Sequence, residues 1–316
     1  MAYREQAIKL GTRKSLVGIL ALPASSQDAS ATAAQGATSR AAGVAGATDG
    51  PAVVILNAGI IHRTGPNRLH TTLARALASA GLPALRFDLA GIGDSESRAE
   101  ALPPTEAALA DIREVLDDLE AAGRTSRGVI LAGLCSGAFQ ALLCAEADPR
   151  VVGIVLIDLY LPKTSGYYLR YYAQRAKNLE SWFNVLRGRN PLWRALLGRL
   201  APGGAQGEEQ RLPVLQPDLG GRPLAETFEH AFVVALNRGV QVLAIFTGGL
   251  KKQHNYREQM LDAFPRAPFG TLLRLEYFAD SDHTFTPEAA RARFIRLVRE
   301  WVNSAAFMKP AGRSHE

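Results

Sequence analysis

The sequence has very few cysteines and no apolar run long enough to cross a membrane. Only Cys135 and Cys144 occur among 316 residues, which excludes a disulfide scaffold and any multi-cysteine zinc or iron–sulfur site. The longest apolar run, Val151 to Leu161, is interrupted by Asp158 and is too short to span a bilayer. No apolar segment typical of a secretion signal opens the chain. We therefore expect a soluble, cytoplasmic protein without a membrane span.

Composition indicates a folded domain with a large core. Hydrophobic residues make up 47% of the chain and charged residues 21%, a balance typical of globular proteins. A chain of this length buries enough apolar surface to fold without disulfides or metal. We expect one large domain, or a domain with an insertion, and no cofactor or metal.

Positive charge is concentrated in one part of the chain. Residues 161–200 contain eight basic residues and one acidic residue. A local positive field favours an anionic partner such as an acidic carrier protein, the phosphates of coenzyme A or an anionic lipid. No nucleic-acid-binding motif is present, so nucleic acid is not expected. The alternative is a solvated helix surface that happens to be basic.

Strand-like and helix-like segments alternate along most of the chain. The predicted strands are Ser15–Leu20, Ala52–Leu56, Leu82–Leu89, Gly128–Leu134, Val151–Tyr160, Gln241–Thr247 and Thr271–Phe278. The predicted helices are Asn67–Ala80, Pro104–Ala122, Gly137–Ala147, a segment near Tyr256–Phe264, and a last helix from Pro287. This alternation predicts an α/β fold with a mostly parallel, doubly wound sheet. Residues 24–50, which are rich in small residues, predict a flexible loop.

Residues 161–230 break the alternation and predict a helical cap inserted before the penultimate strand. The core would then consist of residues 1–160 and 231–316. The segment around the start of the cap is rich in aromatic residues, namely Tyr160, Tyr167, Tyr168, Tyr171, Tyr172, Trp182 and Phe183. These side chains either line an apolar acyl pocket, with Tyr160 and Tyr168 contacting substrate, or pack the cap onto the sheet.

A strand-to-helix turn predicts the nucleophile. The turn reads Gly133-x-Cys135-x-Gly137, and a sharp turn of this kind strains its central residue and requires small neighbours two positions away. A helix N-terminus favours a thiolate at Cys135. Ser136 is a weaker alternative nucleophile, because its neighbour two positions back is Leu134. The alternative interpretation is that Cys135 is an inert buried thiol. Cys144 is expected in the core.

The end of the second apolar strand predicts part of an oxyanion hole. There Asn57-Ala58-Gly59 is followed by Ile60, and an N–H of Ala58, Gly59 or Ile60 would act with that of Ser136. His62 and Arg63 follow in a polar loop and either bind substrate or simply form a turn.

A base and an acid complete the predicted site. His283 follows the last strand and is the best-placed general base. The loop after Gln241–Thr247 has no carboxylate, so we favour Asp158, at the end of the preceding strand, as the acid that orients His283. Asp282 and Asp280 remain alternatives.

These motifs together resemble the α/β-hydrolase superfamily. The resemblance spans about residues 51–304 and rests on the Cys135 turn, the Asn57-Ala58-Gly59 strand end, the segment Arg86–Ser95 and Asp282-His283. It implies an α/β-hydrolase fold in which nucleophile, acid and histidine follow one another along the chain.

Finer resemblances concern two features. The run from Asn57 to Leu69 is similar to hydrolases associated with exosortase and exopolysaccharide gene clusters, and to acyl-processing hydrolases of bacterial secondary metabolism. A cysteine nucleophile resembles dienelactone hydrolases and cysteine-type acyltransferases. The cap and the missing acid after residue 247 depart from the dienelactone hydrolase pattern, so that substrate is not expected.

The expected function is acyl transfer through an acyl-thioester on Cys135, with water or another nucleophile as acceptor. The substrate would be a small acyl ester or thioester, presented on coenzyme A or an acidic carrier protein if the basic cap binds one. The alternative is a non-catalytic binding protein built on the same fold.

Overall fold

The structure is a computed structural model that describes residues 3–24, 50–176, 221, 223–304 and 307. Its strands are β1 (Tyr3–Leu10), β2 (Leu16–Pro23), β3 (Ala52–Ile55), β4 (Ala84–Phe87), β5 (Val129–Leu134), β6 (Val151–Ile157), β7 (Gln241–Thr247) and β8 (Leu273–Phe278). Its α-helices are α1 (Leu69–Ser79), α2 (Pro104–Ala121), α3 (Ser136–Ala147), α4 (Ser165–Ala176), α5 (Leu224–Asn237), α6 (Gln259–Ala263) and α7 (Glu288–Val302). Short 3₁₀ helices lie at Pro66–Arg68, Gly248–Leu250 and Gly270–Leu272.

The described strands form one sheet in the order β1-β2-β4-β3-β5-β6-β7-β8. The pairs of β2 with β1 and with β4 are antiparallel, and the strands from β4 to β8 run parallel. One apolar core joins the sheet to α2, α3 and α5, and the other joins its opposite face to α1 and α7. The predicted doubly wound, mostly parallel fold is confirmed, and the carboxyl ends of β3 and β5 to β8 meet at one edge.

Several element boundaries differ from the sequence-based expectation. β1 was not expected, because its sequence lacks a clear apolar alternation, and four of its eight residues are exposed in the structure. Helix α1 begins two residues after the expected Asn67, because Asn67 and Arg68 have positive φ angles of 49° and 61°, which no α-helix accommodates. The segment expected near Tyr256–Phe264 is helical only over α6.

Helix α5 crosses the boundary expected at residue 230. Its Phe228 and Phe232 are fully buried, and Phe228 stacks on Phe139 of α3 with ring centroids 6.4 Å apart. Because these contacts join α5 to the main apolar core, we propose that the core resumes at residue 224.

The first part of the expected cap packs on the loop that follows β7. Tyr167 of α4 is buried, its hydroxyl donates to Lys252 O at 2.7 Å, and Asn255 Nδ2 donates to Tyr167 O at 3.0 Å. Most of the cap (177–220), including Trp182 and Phe183, lies outside the described residues, as does nearly all of the loop expected at 24–50. Among the described helices, none is long and apolar enough to cross a membrane.

Candidate active site

Cys135 lies at the tip of a strained turn between β5 and α3. Its backbone angles are φ 57° and ψ −112°, a conformation that costs a non-glycine residue energy and persists where packing enforces it. A Cβ atom on Gly133 would lie 2.1 Å from the carbonyl of Gly137, and one on Gly137 would lie 2.7 Å from Asn57 O. Both glycines are therefore required for the turn, and the Cys135 side chain stays partly accessible.

His283 joins Cys135 to Asp158. The His283 Nδ1–H donates to Asp158 Oδ2 at 2.7 Å, and the Cys135 side chain acts on the same imidazole by raising its pKa. His283 follows β8 and Asp158 follows β6, so the topology brings together residues separated by 125 positions. The Nδ1 contact fixes the orientation of the imidazole and leaves proton transfer with the thiol to its other nitrogen.

The charged partners of His283 change its pKa more than burial does. Burial lowers the pKa of the imidazole, but the hydrogen bonds and charges of Asp158 and Cys135 together raise that pKa from 6.5 to about 10. An imidazole in this setting holds its proton as a cation beside a carboxylate and a sulfur atom. That arrangement suits an ion pair in which the sulfur is the nucleophile.

Asp158 is held rigidly by one residue of the neighbouring strand. The Thr247 N–H donates to Asp158 Oδ1, and the Thr247 hydroxyl donates to Oδ2, each at 2.7 Å. Asp158 is almost fully buried, at 4% exposure, and has a positive φ of 48°. Its oxygens are therefore occupied by Thr247 and His283, which satisfies a carboxylate that burial would otherwise destabilise.

The two alternative acids make other contacts. Asp282 Oδ1 accepts hydrogen bonds from the N–H groups of Thr284 and Thr286, at 3.1 and 2.9 Å. Asp280 pairs with Arg293, with Nη2 and Oδ1 2.5 Å apart. The carboxylate that contacts His283 is therefore that of Asp158.

Two N–H groups predicted for the oxyanion hole are those of Ser136, next to Cys135 in the chain, and of Ile60. Among the described residues, neither group finds a hydrogen-bond acceptor, whereas the Gly59 N–H donates to Ser136 Oγ at 2.6 Å. The same bond engages the Ser136 hydroxyl, which is buried. The Ser136 and Ile60 N–H groups are thus free to donate to an oxyanion, whereas the Gly59 N–H would first have to leave the Ser136 hydroxyl.

Arg63 supports the loop between β3 and α1. Its guanidinium forms ion pairs with Asp88 Oδ2 and, at 2.6 Å, with Asp94 Oδ2, and its N–H donates to Asp88 Oδ1 at 2.6 Å. Asp88 is fully buried. These contacts occupy Arg63, which was expected as a substrate-binding candidate, in structural ion pairs.

His62 lies at the edge of the same ion-pair cluster. Its Nδ1 is 2.6 Å from Thr64 Oγ1, and its Nε2 lies 3.5 Å from Asp88 Oδ2 and 3.6 Å from Asp94 Oδ2. Potential ligand atoms of these three residues lie within 4.8 Å of one another. Because the Arg63 guanidinium already bridges both carboxylates, the donor set fits a cation poorly.

The two tyrosines expected to bind substrate differ in their accessibility. Tyr160, two residues after Asp158, is half-buried, and Tyr168 on α4 is 44% exposed. Tyr168 packs against Tyr167 and Tyr172, with ring centroids 5.5 and 6.5 Å away. Arg170, part of the basic segment, lies 3.9 Å from the ring centroid of Tyr256, so its guanidinium also helps to hold α4 in place.

The sequence analysis assigned no supporting role to three residues that hold the site in place. Thr247 orients Asp158, and its signal is a polar residue at the end of an apolar strand. Asn57 holds the loop after β3, because its Nδ2 donates to Ile61 O at 2.8 Å and its Oδ1 accepts the Leu89 N–H at 2.8 Å. A Cβ on Gly249 would lie 2.8 Å from Asp282 Cα, so this glycine lets the β7 loop pack against the His283 loop.

Comparisons with known proteins agree with this architecture. A model described as "Alpha/beta hydrolase family" matches residues 31–313. No curated protein matches the chain.

Solved structures share the fold of the chain at low sequence identity. An esterase of Pyrococcus furiosus has a TM-score of 0.54 at 14% identity, covering 95% of this chain and 90% of the esterase. A dienelactone hydrolase of Anabaena variabilis has a TM-score of 0.52 at 14% identity, covering 95% and 97%. A serine hydrolase without a lid from Xanthomonas campestris has a TM-score of 0.50 at 15% identity, covering 96% and 97%. At these identities, the likeness concerns the fold alone.

Proposed function

The chain belongs to the alpha/beta hydrolase family, and we propose that it cleaves acyl esters or thioesters through an acyl-enzyme on Cys135. One observation carries the proposal: the His283 imidazole is hydrogen-bonded to Asp158 Oδ2 at 2.7 Å, and the Cys135 side chain acts on the same imidazole. Its nucleophile is held at a strained strand-to-helix turn. A purely structural role for Cys135 would not require this conformation.

Acylation is the first step. The Cys135 thiolate attacks the acyl carbonyl carbon, a C–S bond forms, and the carbonyl π electrons move to the oxygen. The N–H groups of Ser136 and Ile60 stabilise the resulting oxyanion. When the tetrahedral intermediate collapses, the bond to the leaving group breaks and His283 donates its proton to that group.

Deacylation reverses the roles of the same residues. Neutral His283 removes a proton from water, the oxygen attacks the thioester carbon, and the C–S bond breaks to regenerate the thiolate and the imidazolium. Asp158 keeps the imidazole oriented in both steps. An amine or thiol in place of water would give an acyltransferase, and a thioester intermediate is open to both acceptors.

Two finer proposals concern identity and partner. The similarity of the Asn57–Leu69 run to exosortase-associated and secondary-metabolism hydrolases supports a bacterial acyl-processing role. The basic residues of segment 161–200 support a substrate presented on coenzyme A or an acidic carrier protein. Most of that segment lies outside the described residues, and Arg170 is engaged with Tyr256.

Intact-protein mass spectrometry tests the proposal. The protein is mixed with p-nitrophenyl acetate or acetyl-coenzyme A and quenched in acid. We expect one added acetyl group that peptide mapping places on Cys135, with none in Cys135→Ala and unchanged labelling in Cys144→Ala.

The contrary result is equally clear. If no ester or thioester of any chain length acylates Cys135 in the folded protein, the catalytic proposal fails, and the alternative of a non-catalytic binding protein is favoured. Release of p-nitrophenol that persists in Cys135→Ala would show instead that another group carries the chemistry.

A further inference from the structure

A mostly apolar pocket of about 340 Å³ adjoins the oxyanion-hole loop. Its wall includes Gly59 and Ile60 from that loop, Leu89 from the segment after β4, and Phe139 from α3. Ile60 is 83% exposed at the rim. A pocket of this size is near the lower end for small-molecule sites, and its lining favours an aliphatic chain.

The position of the pocket assigns it to the acyl side of the substrate. The leaving group must lie within proton-transfer reach of His283, whereas the pocket wall contains Gly59, Ile60 and Ser136, the residue after Cys135. Neither His283 nor Cys135 itself forms part of the wall. With the carbonyl oxygen held by the N–H groups of Ser136 and Ile60, the acyl substituent is the part of the substrate that faces this wall.

One buried polar group in the wall lacks a partner. Gln140 is only 7% exposed, and among the described residues its Oε1 has no hydrogen-bond partner. An unsatisfied buried amide oxygen is costly. Gln140 lies four residues after Ser136 on α3, which places it about 6 Å further along the helix axis.

The acidic side chain in the pocket wall is already compensated. Asp111 is buried, accepts the Ala90 N–H at 2.8 Å and pairs with Arg98. No unpaired charge therefore calls for a charged ligand within the described wall. A neutral hydrogen-bond donor suits Gln140, and a hydroxyl group matches either end of its carboxamide.

We infer that this pocket binds the acyl chain of the substrate and that Gln140 hydrogen-bonds a hydroxyl group carried several carbons from the reacting carbonyl. The inference rests on the proposed function, because it concerns the acyl group transferred to Cys135. It names the substrate class as esters or thioesters of medium-length hydroxy acids.

A matched set of esters tests the hydroxyl position. The kcat/KM values of the wild type are compared for p-nitrophenyl octanoate, 7-hydroxyoctanoate and 3-hydroxyoctanoate. We expect the 7-hydroxy ester to exceed octanoate by roughly three- to tenfold, the gain of one hydrogen bond. The 3-hydroxy ester should show no such gain, since its hydroxyl lies too near the carbonyl to reach Gln140.

The Gln140→Met variant tests whether the preference for the 7-hydroxy ester depends on the carboxamide of Gln140. Methionine keeps the length of the side chain and removes both polar atoms, so the ratio between the 7-hydroxy ester and octanoate should fall to about one. Because the ratio compares two substrates on one protein, loss of folded material cannot produce this change. An unchanged ratio in Gln140→Met, or no preference in the wild type, would overturn the inference.

A second pair of variants tests the pocket itself. Ala107 lines the pocket and is only half-buried, so Ala107→Phe should fill the pocket. The ratio of kcat/KM for the octanoate ester to that for the acetate ester should then fall by tenfold or more. Ala110→Phe, on the same helix and outside the wall, should leave the preference unchanged. Equal chain-length profiles for both variants would count against this pocket as the acyl site.

The two levels of the proposal fail differently. If no ester acylates Cys135, the proposed function itself is wrong. If Cys135 is acylated with no dependence on chain length, hydroxyl position or Gln140, the catalytic proposal stands and only the acyl-pocket inference is lost.

Discussion

Thr247 donates two hydrogen bonds to Asp158, one from its backbone and one from its hydroxyl, both at 2.7 Å. Thr247 ends β7, and the residues that follow it, 248–254, contain no carboxylate, while Asp158 follows the neighbouring strand β6. Thr247, at the end of a strand that no acid follows, thus holds Asp158, the acid that follows the neighbouring strand. This relationship makes Thr247 a positioning residue for His283.

Thr247→Val should lower the rate of Cys135 acylation about tenfold, with KM unchanged, because one hydrogen bond to a buried carboxylate is lost. Stopped-flow release of p-nitrophenol measures this rate. Thr247→Ser keeps the hydroxyl and should restore it. If Thr247→Val loses stability but acylates at the wild-type rate, its role is structural only.

Iodoacetamide should modify Cys135 and leave Cys144 untouched at neutral pH. Burial raises the pKa of the Cys144 thiol to about 12, so almost no thiolate is present there, whereas Cys135 is partly accessible beside His283. Peptide mapping after timed alkylation checks the site. His283→Ala should slow the reaction at Cys135, and equal alkylation of both thiols in native protein would refute the assignment.

Cys135→Ala should lower esterase activity by about a thousandfold or more, the usual effect of removing a nucleophile. Initial rates with p-nitrophenyl acetate measure this loss. Cys144→Ala serves as the control and should keep the wild-type kcat. Comparable losses in both variants would indicate a folding defect, which urea denaturation of each variant distinguishes.

His283 should stabilise the protein at low pH more than at high pH. Its folded-state pKa of about 10 lies above its ordinary value of 6.5, so its contribution is complete below 6.5 and is lost as pH rises through about 10. The difference in unfolding free energy between wild type and His283→Gln should therefore shrink from about pH 6 to about pH 9. Urea denaturation at both values measures it, and a difference that grows with pH would contradict the cationic imidazole.

Arg63→Met should destabilise the fold by about 3 kcal/mol, because it leaves the fully buried Asp88 without its cation. Urea denaturation measures the loss. Asp94→Asn removes the exposed partner of the same guanidinium and should have a much smaller effect. A large rise in KM without loss of stability would show instead that Arg63 binds substrate, which is one of the two roles considered from the sequence.

Much of the site could be found from the sequence because its signals are local. The spacing of Gly133, Cys135 and Gly137 reflects contacts within one turn, where any Cβ would collide with the neighbouring backbone. The alternation of strands and helices likewise follows from local apolar patterns. These features fixed the fold class and the position of Cys135.

Long-range contacts decided the rest. Asp158, Asp280 and Asp282 were all candidates, and only the order of β6, β7 and β8 in the sheet brings Asp158 within 2.7 Å of His283. Arg63 was expected either to bind substrate or to form a turn, and nothing in the sequence indicated that Asp88 and Asp94, which follow another strand, pair with it. Hydrophobic patterning specifies elements and faces, whereas the partner of a polar side chain depends on which strands become neighbours, and that is settled only when the chain folds.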